Sequence, residues 1–215
     1  MNSSGAFFED FADRFDSLYD GQRSRLMRWI DHRFRRDMFV RFSMTFDLLG
    51  DLNEKRILEI GCGSGVYIAE ALKRGACHVT GIDPAPRMLA LADRRVSQLG
   101  MGERVRFLEG YFPQMSPMDC FDFAIVMGVM DYVEDASALV RGLRSVVTRG
   151  AVLSFPSIHW FRTPLRKIRY RVRSCPVYFY TPVQIEGLAR DAGLKHYSLT
   201  KIPGAGMDYV LWIAM

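Results

Sequence analysis

The sequence predicts an α/β protein with a Rossmann-like, doubly wound and mostly parallel sheet. From residue 56 onwards, short apolar runs alternate with helical stretches, a pattern typical of βαβ units and a parallel sheet. The first apolar run passes into glycines at alternate positions, Gly61, Gly63 and Gly65, which end the strand and open a turn. The last two strand-like runs, 195–202 and 207–214, are separated by a Pro/Gly turn and predict a closing antiparallel hairpin.

The part of the chain before this pattern, residues 1–50, predicts an N-terminal helical cap. Residues 6–49 show helical patterns and no strand, with helices expected over 24–34 and 37–49. An aromatic-rich stripe at helical spacing precedes them, formed by Phe7, Phe8, Phe11, Phe15, Leu18 and Tyr19. This stripe either packs on the following domain or covers a ligand there.

Residues 51–215 predict one domain with a seven-stranded sheet. Parallel strands are expected at 56–60, 78–83, 105–109, 121–127 and 151–155, and helices at 66–74, 86–99 and 135–147, the last followed by Gly150. Thr181-Pro182-Val183-Gln184 fits a capping box with Pro at the first helical position, which opens a helix that ends at Gly193. Residues 155–180 then form an insertion on the substrate side, between the parallel strands and the terminal hairpin.

The charge distribution indicates an anionic partner or substrate. The chain has 215 residues and a net charge of +5. Residues 23–41 contain seven arginines against two aspartates, and residues 162–173 contain six basic residues and no acid. The remainder of the chain is therefore net acidic, and the basic character lies outside the glycine-motif core.

Other sequence features exclude several classes of protein. No stretch approaches the roughly 20 apolar residues that a membrane span needs, and the N-terminus shows no basic-then-apolar signal pattern. We therefore expect a cytoplasmic protein without a membrane span, as a monomer or a homodimer. The four cysteines and four histidines show no paired or ligand spacing, so we predict free thiols and no metal site.

The stretch 57–65 predicts a nucleotide-type binding site. A buried strand, a glycine turn and a helix N-terminus together point backbone N–H groups at a ligand. A dinucleotide oxidoreductase is one interpretation, but the third glycine of its fingerprint would fall at position 66, which is Val66. Asp83 at the end of the second strand suits either cofactor, because a carboxylate binds ribose hydroxyls in both.

Four motifs together carry a family resemblance. They are Glu59-Ile60-Gly61-Cys62-Gly63-Ser64-Gly65, Gly81-Ile82-Asp83-Pro84, Phe121-Asp122-Phe123-Ala124-Ile125-Val126 and Gly128-Val129-Met130-Asp131-Tyr132-Val133. With these motifs, residues 55–215 resemble the class I S-adenosylmethionine-dependent methyltransferases, and most closely the bacterial enzymes that act on small molecules. The resemblance implies S-adenosyl-L-methionine as the cofactor and residues 51–215 as the methyltransferase domain.

The resemblance also implies a set of cofactor-binding residues. The glycine turn would hold the amino-acid end and the ribose, Glu59 would order the turn or the ammonium, and Asp83 would take the ribose hydroxyls. The full set is Glu59, Gly61, Cys62, Gly63, Gly65, Asp83, Pro84, Met88, Gly110, Tyr111, Phe112, Met127 and Gly128. Many relatives carry an acid where Tyr111 stands, so adenine recognition is expected to depend on backbone groups near Gly110 and Phe112.

The acceptor is expected outside the carboxyl ends of the strands, near loops 127–135 and 156–180 and the cap. Candidate catalytic residues are His159, Asp131 and Tyr132, and candidate substrate-binding residues are Tyr19, Arg162, Arg166, Tyr178 and Tyr180. His159 is either a general base or a packing residue, and Asp131 either orients the acceptor or caps the next helix. The basic segment 162–173 is either a solvated helix face or a clamp on a carboxylate or phosphate.

We therefore predict methyl transfer to an oxygen or nitrogen of a small, anionic molecule. The alternative is a methyltransferase that acts on RNA or protein, since basic grooves also bind phosphate backbones. The fourth strand is followed by Met127-Gly128-Val129-Met130, without the Asn/Asp-Pro-Pro-aromatic signature of the amino-methylating enzymes of nucleic acids. A nucleic-acid partner is accordingly disfavoured.

Overall fold

The computed structural model describes residues 38–115, 119–157, 176–203 and 208–215. Tyr19, His159, Arg162 and Arg166 lie outside the described residues, as do the aromatic stripe, the helix expected at 24–34 and the basic segment 162–173.

Besides a short 3-10 helix at Gly102–Arg104, the described chain contains five α-helices and seven strands. In order they are α1 (residues 38–49), β1 (Arg56–Ile60), α2 (Val66–Lys73), β2 (His78–Asp83), α3 (Pro86–Gln98), β3 (Val105–Glu109), β4 (Phe121–Val126), α4 (Ala136–Val146), β5 (Val147–Phe155), α5 (Pro182–Asp191), β6 (Tyr197–Lys201) and β7 (Tyr209–Ala214).

All seven strands form one sheet in the order β3-β2-β1-β4-β5-β7-β6. The first five strands are parallel, and β7 runs antiparallel to both β5 and β6. The predicted Rossmann-like fold and its closing hairpin are thus confirmed. The strand order reverses between β1 and β4, which is where open sheets of this kind bind ligands.

Apolar side chains cover both faces of the sheet, so β1, β2, β4 and β5 are nearly continuous buried runs. One face packs against α4 and α5, through residues such as Leu139 and Ile185. The other packs against α1, α2 and α3, through residues such as Phe46, Ile68 and Val96. This is the doubly wound arrangement that the alternating pattern predicts.

Local signals at two helix starts are confirmed. Asp135 accepts a hydrogen bond from the Ala138 N–H at 2.8 Å and caps α4. At α5, Thr181 and Gln184 form the predicted reciprocal capping box, with Pro182 at the first helical position. Within the described ranges, no helix is both long enough and apolar enough to cross a membrane.

The predicted start of the fifth strand is wrong. Gly150 was expected between the helix and the strand, but α4 ends at Val146 and β5 begins directly at Val147. Gly150 lies inside β5, where a Cβ would overlap the ring of Trp212 on β7 and stand 2.7 Å from the Ile213 carbonyl oxygen. The glycine is therefore required by close packing of β7 and not by a helix stop.

Candidate active site

A cavity of about 320 Å³ opens at the carboxyl ends of β1, β2 and β4, at the reversal of strand order. All of the predicted cofactor-site residues except Gly65 line it, as do two of the catalytic candidates, Asp131 and Tyr132. The sheet topology thus brings together segments that are far apart in sequence.

The turn between β1 and α2 forms the floor of the cavity and is anchored to β2. The N–H groups of Gly61 and Cys62 both donate to the Ile82 carbonyl oxygen, at 2.7 and 3.1 Å. Gly61 and Gly63 have φ values of +66° and +50°, a region that side chains with a Cβ rarely adopt. A Cβ on Gly61 would also overlap Val129, so the turn can approach the loop after β4 only without one.

Gly65 lies outside the cavity, unlike the other two glycines of the turn. It is the N-cap of α2, with φ +73°, and a Cβ there would stand 2.8 Å from the Cβ of Ala92 on α3. Its structural role is therefore the close packing of α2 against α3.

Asp83 is held at the end of β2 by two backbone groups. Its Oδ2 accepts from the Gly63 N–H and its Oδ1 from the Ala85 N–H, both at 2.9 Å. The side chain is buried, so these bonds fix the orientation of a carboxylate in the cavity wall. The backbone of Asp83 is also bound by the segment after β3, because the Gly110 N–H donates to the Asp83 backbone carbonyl oxygen at 3.1 Å.

Glu59 is a buried acid with an unused oxygen. The N–H of Ile68 in the first turn of α2 hydrogen-bonds its carboxyl group, while Oε2 has no hydrogen-bond partner among the described residues. Burial, and secondly the charge of Asp83, raises the pKa of Glu59 well above its usual range. The unused oxygen belongs to a side chain that lines the cavity, where a cationic group would satisfy it.

Arg41 on α1 is a cavity residue that sequence reasoning missed. Its Nε is buried without a hydrogen-bond partner in the described part of the chain, and its side chain hydrogen-bonds Tyr67. Burial alone would lower the pKa of Arg41, but Tyr67 and the charges of Asp208 and Asp131 raise it above its ordinary value. Arg41 therefore brings a permanent positive charge to the cavity.

The packing of α1 on α2 places Arg41. The Tyr67 ring lies 5.1 Å from the ring of Phe42 and 5.9 Å from that of Phe46, measured between centroids. In the sequence, Arg41 is the last of seven arginines in a basic segment. Only the aromatic spacing next to it, Phe42 and Phe46 at i and i+4, hints that this part of the segment faces the domain.

The loop after β4 is fixed from behind by other elements. The Gly128 N–H donates to Ser154 Oγ on β5 at 2.8 Å, and the Tyr180 hydroxyl donates to the Met130 carbonyl oxygen at 3.2 Å. Burial, then Asp131 and Tyr178, raises the pKa of Tyr180 to about 12, so Tyr180 remains a donor. The loop that carries Asp131 and Tyr132 is thereby held rigidly over the cavity.

Two of the predicted substrate-binding residues do not reach the cavity. Tyr178 and Tyr180 line a separate groove against α5, together with Glu134 and Asp135. The Tyr178 N–H donates to the Asp131 carbonyl oxygen at 2.8 Å. Both tyrosines thus contact the loop 127–133 without lining the cavity.

The donor groups of the described residues include no cluster of three or more His, Cys, Asp or Glu side chains that could hold a metal ion. The cavity lining can pair with both charged groups of an α-amino acid. Glu59 supplies an unmatched acceptor and Arg41 an unmatched donor on its wall, which complements the ammonium and carboxylate of an α-amino acid.

Parts of the chain are similar to known methyltransferases. Residues 57–150 match the model of a methyltransferase domain. The chain is 26% identical over 182 residues to the ubiquinone biosynthesis O-methyltransferase of Bordetella avium, covering 79% of this chain and 72% of the relative. It is 29% identical over 124 residues to the tRNA U34 carboxymethyltransferase of Shewanella pealeana, covering 58% of this chain but only 37% of that relative.

Solved structures share the fold over nearly the whole chain. Magnesium protoporphyrin IX methyltransferase from Synechocystis, crystallised with bound S-adenosylhomocysteine, superposes with a TM-score of 0.70 at 23% identity, over 97% of this chain and 98% of that one. The same enzyme with bound S-adenosylmethionine gives a TM-score of 0.71 at 19% identity, over 100% of this chain and 97% of that one.

Proposed function

We propose that the chain, whose residues 57–150 match a methyltransferase domain, is a class I S-adenosylmethionine-dependent methyltransferase and methylates an oxygen or nitrogen atom of a small, anionic acceptor. The observation that carries this proposal is the cavity at the strand-order reversal, which is lined by two acids, Glu59 and Asp83, and by Arg41, Asp131 and Tyr132. The two basic segments support an anionic acceptor.

The cofactor is proposed to bind along the β1 and β2 ends of the cavity. The unmatched Glu59 Oε2 would receive the ammonium and the unmatched Arg41 Nε the carboxylate. Asp83, oriented by two backbone bonds, would receive the ribose hydroxyls. Tyr111 offers no carboxylate, so the backbone at Gly110 and the side chain of buried Phe112 would contact adenine.

The protein's part in the reaction is alignment and exclusion of water. When bound, S-adenosylmethionine supplies an activated methyl group together with its own leaving group. The rigid loop 127–133 would hold the acceptor in line with that group. Asp131 is proposed to orient the acceptor's O–H or N–H and to accept its proton, with Tyr132 as a further contact. His159, Tyr19, Arg162 and Arg166 remain proposed acceptor-side residues.

A second candidate is a methyltransferase that acts on RNA. It is favoured by the similarity to tRNA U34 carboxymethyltransferase and by the basic segments at 23–41 and 162–173. The shared region covers only about a third of that relative, so its substrate contacts need not lie in the shared part.

Two measurements separate these candidates. S-adenosylhomocysteine formation would be followed with a panel of small phenols, carboxylates and phosphates, and with mixed RNA. Binding of mixed RNA would be measured against salt concentration, because neutralised phosphates give a steep slope. We expect turnover with a small anionic acceptor and no steep slope. Turnover on RNA with a steep slope would instead establish the second candidate.

A matched pair of variants tests the role of Asp131. Asp131→Asn is expected to lower kcat by about 10²-fold or more if the carboxylate takes a proton, with unchanged affinity for S-adenosylhomocysteine. Asp135→Asn is the control, because asparagine also caps helices well and Asp135 lies outside the cavity. Equal kcat values for the two variants would rule out a proton-accepting role for Asp131.

A further inference from the structure

Glu59 is a buried acid whose surroundings leave one of its oxygens unmatched. The side chain is 3% exposed and lines the cavity. One hydrogen bond, from the Ile68 N–H, reaches its carboxyl group. Oε2 is buried and has no partner among the described residues. A carboxylate in this position would be a buried charge without a counter-charge, which is strongly disfavoured.

The groups around Glu59 add negative character. The titratable groups that interact with Glu59 are Asp83 on β2, Cys62 in the turn and Tyr67 on α2. Across β4, the residue in register with Glu59 is the apolar Ile125. None of these groups is a cation.

Arg41 is a cation that lines the same cavity, but other groups already interact with its charge. It interacts with Tyr67, Asp208 and Asp131, and Glu59 is not among the groups that act on it. Burial and the charge of Asp83 accordingly raise the pKa of Glu59. In the ligand-free protein the carboxyl group therefore retains its proton.

We propose that Glu59 exchanges its proton for the ammonium group of the cofactor, so that binding of an S-adenosyl amino acid releases one proton to solvent. The neutral acid loses its O–H proton to buffer, and the resulting carboxylate pairs with the ligand's ammonium. No other bond forms or breaks. This inference rests on the cofactor assignment and is independent of the acceptor.

Two consequences follow from the exchange. Affinity for S-adenosylhomocysteine rises with pH while Glu59 is protonated in the free protein, by up to about tenfold per pH unit. Glu59 also favours ligands with an intact amino-acid end. A nucleoside without an ammonium group provides no positive charge to stabilise the Glu59 carboxylate, so the carboxyl group stays protonated. Such a ligand binds without proton release.

Isothermal titration calorimetry tests the exchange directly. Binding of S-adenosylhomocysteine to the full chain would be measured at pH 6.5 in two buffers that differ in ionisation enthalpy. The difference in observed enthalpy counts the protons released. We expect a release approaching one proton for S-adenosylhomocysteine and none for 5′-methylthioadenosine, which has the same thionucleoside without the amino-acid end. Equal release for the two ligands, or none for either, would overturn the proposal.

Two variants assign the proton to its residue. Glu59→Gln keeps the size of the side chain without its acid, and should bind S-adenosylhomocysteine more weakly, with no proton release. Glu109→Gln, at an exposed position at the end of β3, should release the same proton as the wild type. Undiminished release in a folded Glu59→Gln would assign the proton to another group. If Glu59→Gln does not fold, the comparison of proton release for the two ligands on the wild-type protein still tests the proposal.

Discussion

Gly61→Ala tests whether the close approach of the glycine turn to the loop after β4 holds the active site together. The added Cβ would overlap Val129 Cγ2, while Val129 Cβ would stay 3.6 Å away. Gly63→Ala is the matched control in the same turn. Gly63 also has a positive φ, +50°, but a Cβ there meets nothing within 4 Å.

The two substitutions differ in the free energy they cost. Holding a residue with a Cβ at a left-handed φ costs about 1–2 kcal/mol, and this applies to both positions. At Gly61, displacement of Val129 adds about 1–3 kcal/mol of overpacking. We expect Gly61→Ala to lower the free energy of unfolding by about 2–5 kcal/mol and Gly63→Ala by about 1–2 kcal/mol.

Urea unfolding of both variants, and of Gly61→Ala combined with Val129→Ala, measures these costs. Removing Val129 Cγ2 leaves an ordinary contact, so the double variant should recover about 1–3 kcal/mol. Gly61→Ala should also lower kcat, because Val129 belongs to the loop that carries Asp131 and Tyr132. Equal destabilisation by Gly61→Ala and Gly63→Ala, with no coupling to Val129, would refute the assigned packing role.

Three further predictions concern the sheet and the two acids. Asp83→Asn should weaken binding of S-adenosylhomocysteine by about tenfold or more, because the ribose hydroxyls would lose one of the two carboxylate oxygens that the Gly63 and Ala85 N–H groups orient; calorimetry measures it. Glu59→Gln should raise the free energy of unfolding of the ligand-free protein at pH 8 and have little effect near pH 4. The pKa of Glu59 is higher in the folded protein than in the unfolded chain. The free energy of unfolding therefore falls as pH rises from the unfolded-state pKa to the folded-state pKa, by at most about 1.4 kcal/mol per pH unit. Gly150→Ala should lower the free energy of unfolding by about 1–3 kcal/mol or more, because the added Cβ overlaps Trp212. Gly187→Ala, in open space inside α5, should raise the free energy of unfolding by up to about 1 kcal/mol.

Each of these predictions has a result that contradicts it. Unchanged affinity in Asp83→Asn would remove Asp83 from the binding site. A pH-independent difference between Glu59→Gln and the wild type would mean that Glu59 is ionised in the free protein. A Gly150→Ala variant as stable as Gly187→Ala would show that β7 can move away from β5 at no cost.

The sequence predicts those features that depend on local chemistry. The buried strands β1, β2 and β4 are bounded by glycines and polar residues, so their apolar runs have clear ends. Asp83 follows its strand directly, and topology then brings it to the glycine turn. The capping box at Thr181 requires only neighbours in the chain. For such residues, the predictive signal lies in their immediate neighbours in the chain.

The missed features depend on which elements pack together. Arg41 enters the cavity because α1 lies against Tyr67 on α2, and periodicity indicates only that a helix has an apolar face. Gly65 resembles its two neighbours in the turn, yet its role depends on the approach of Ala92 from α3. Gly150 follows a helix as a stop signal would, but Trp212, far along the chain, determines its role.

The strand order has a consequence for how the sheet opens. Although β7 follows β6 in the chain, it lies between β5 and β6, so β6 is attached to the sheet only through β7. A truncation before Tyr209 would remove β7, detach β6 from the sheet and uncover the backbone of β5 along Gly150–Phe155. Local opening of β7 would have the same effect, so we expect the amide hydrogens of β6 to exchange with solvent no more slowly than those of β7.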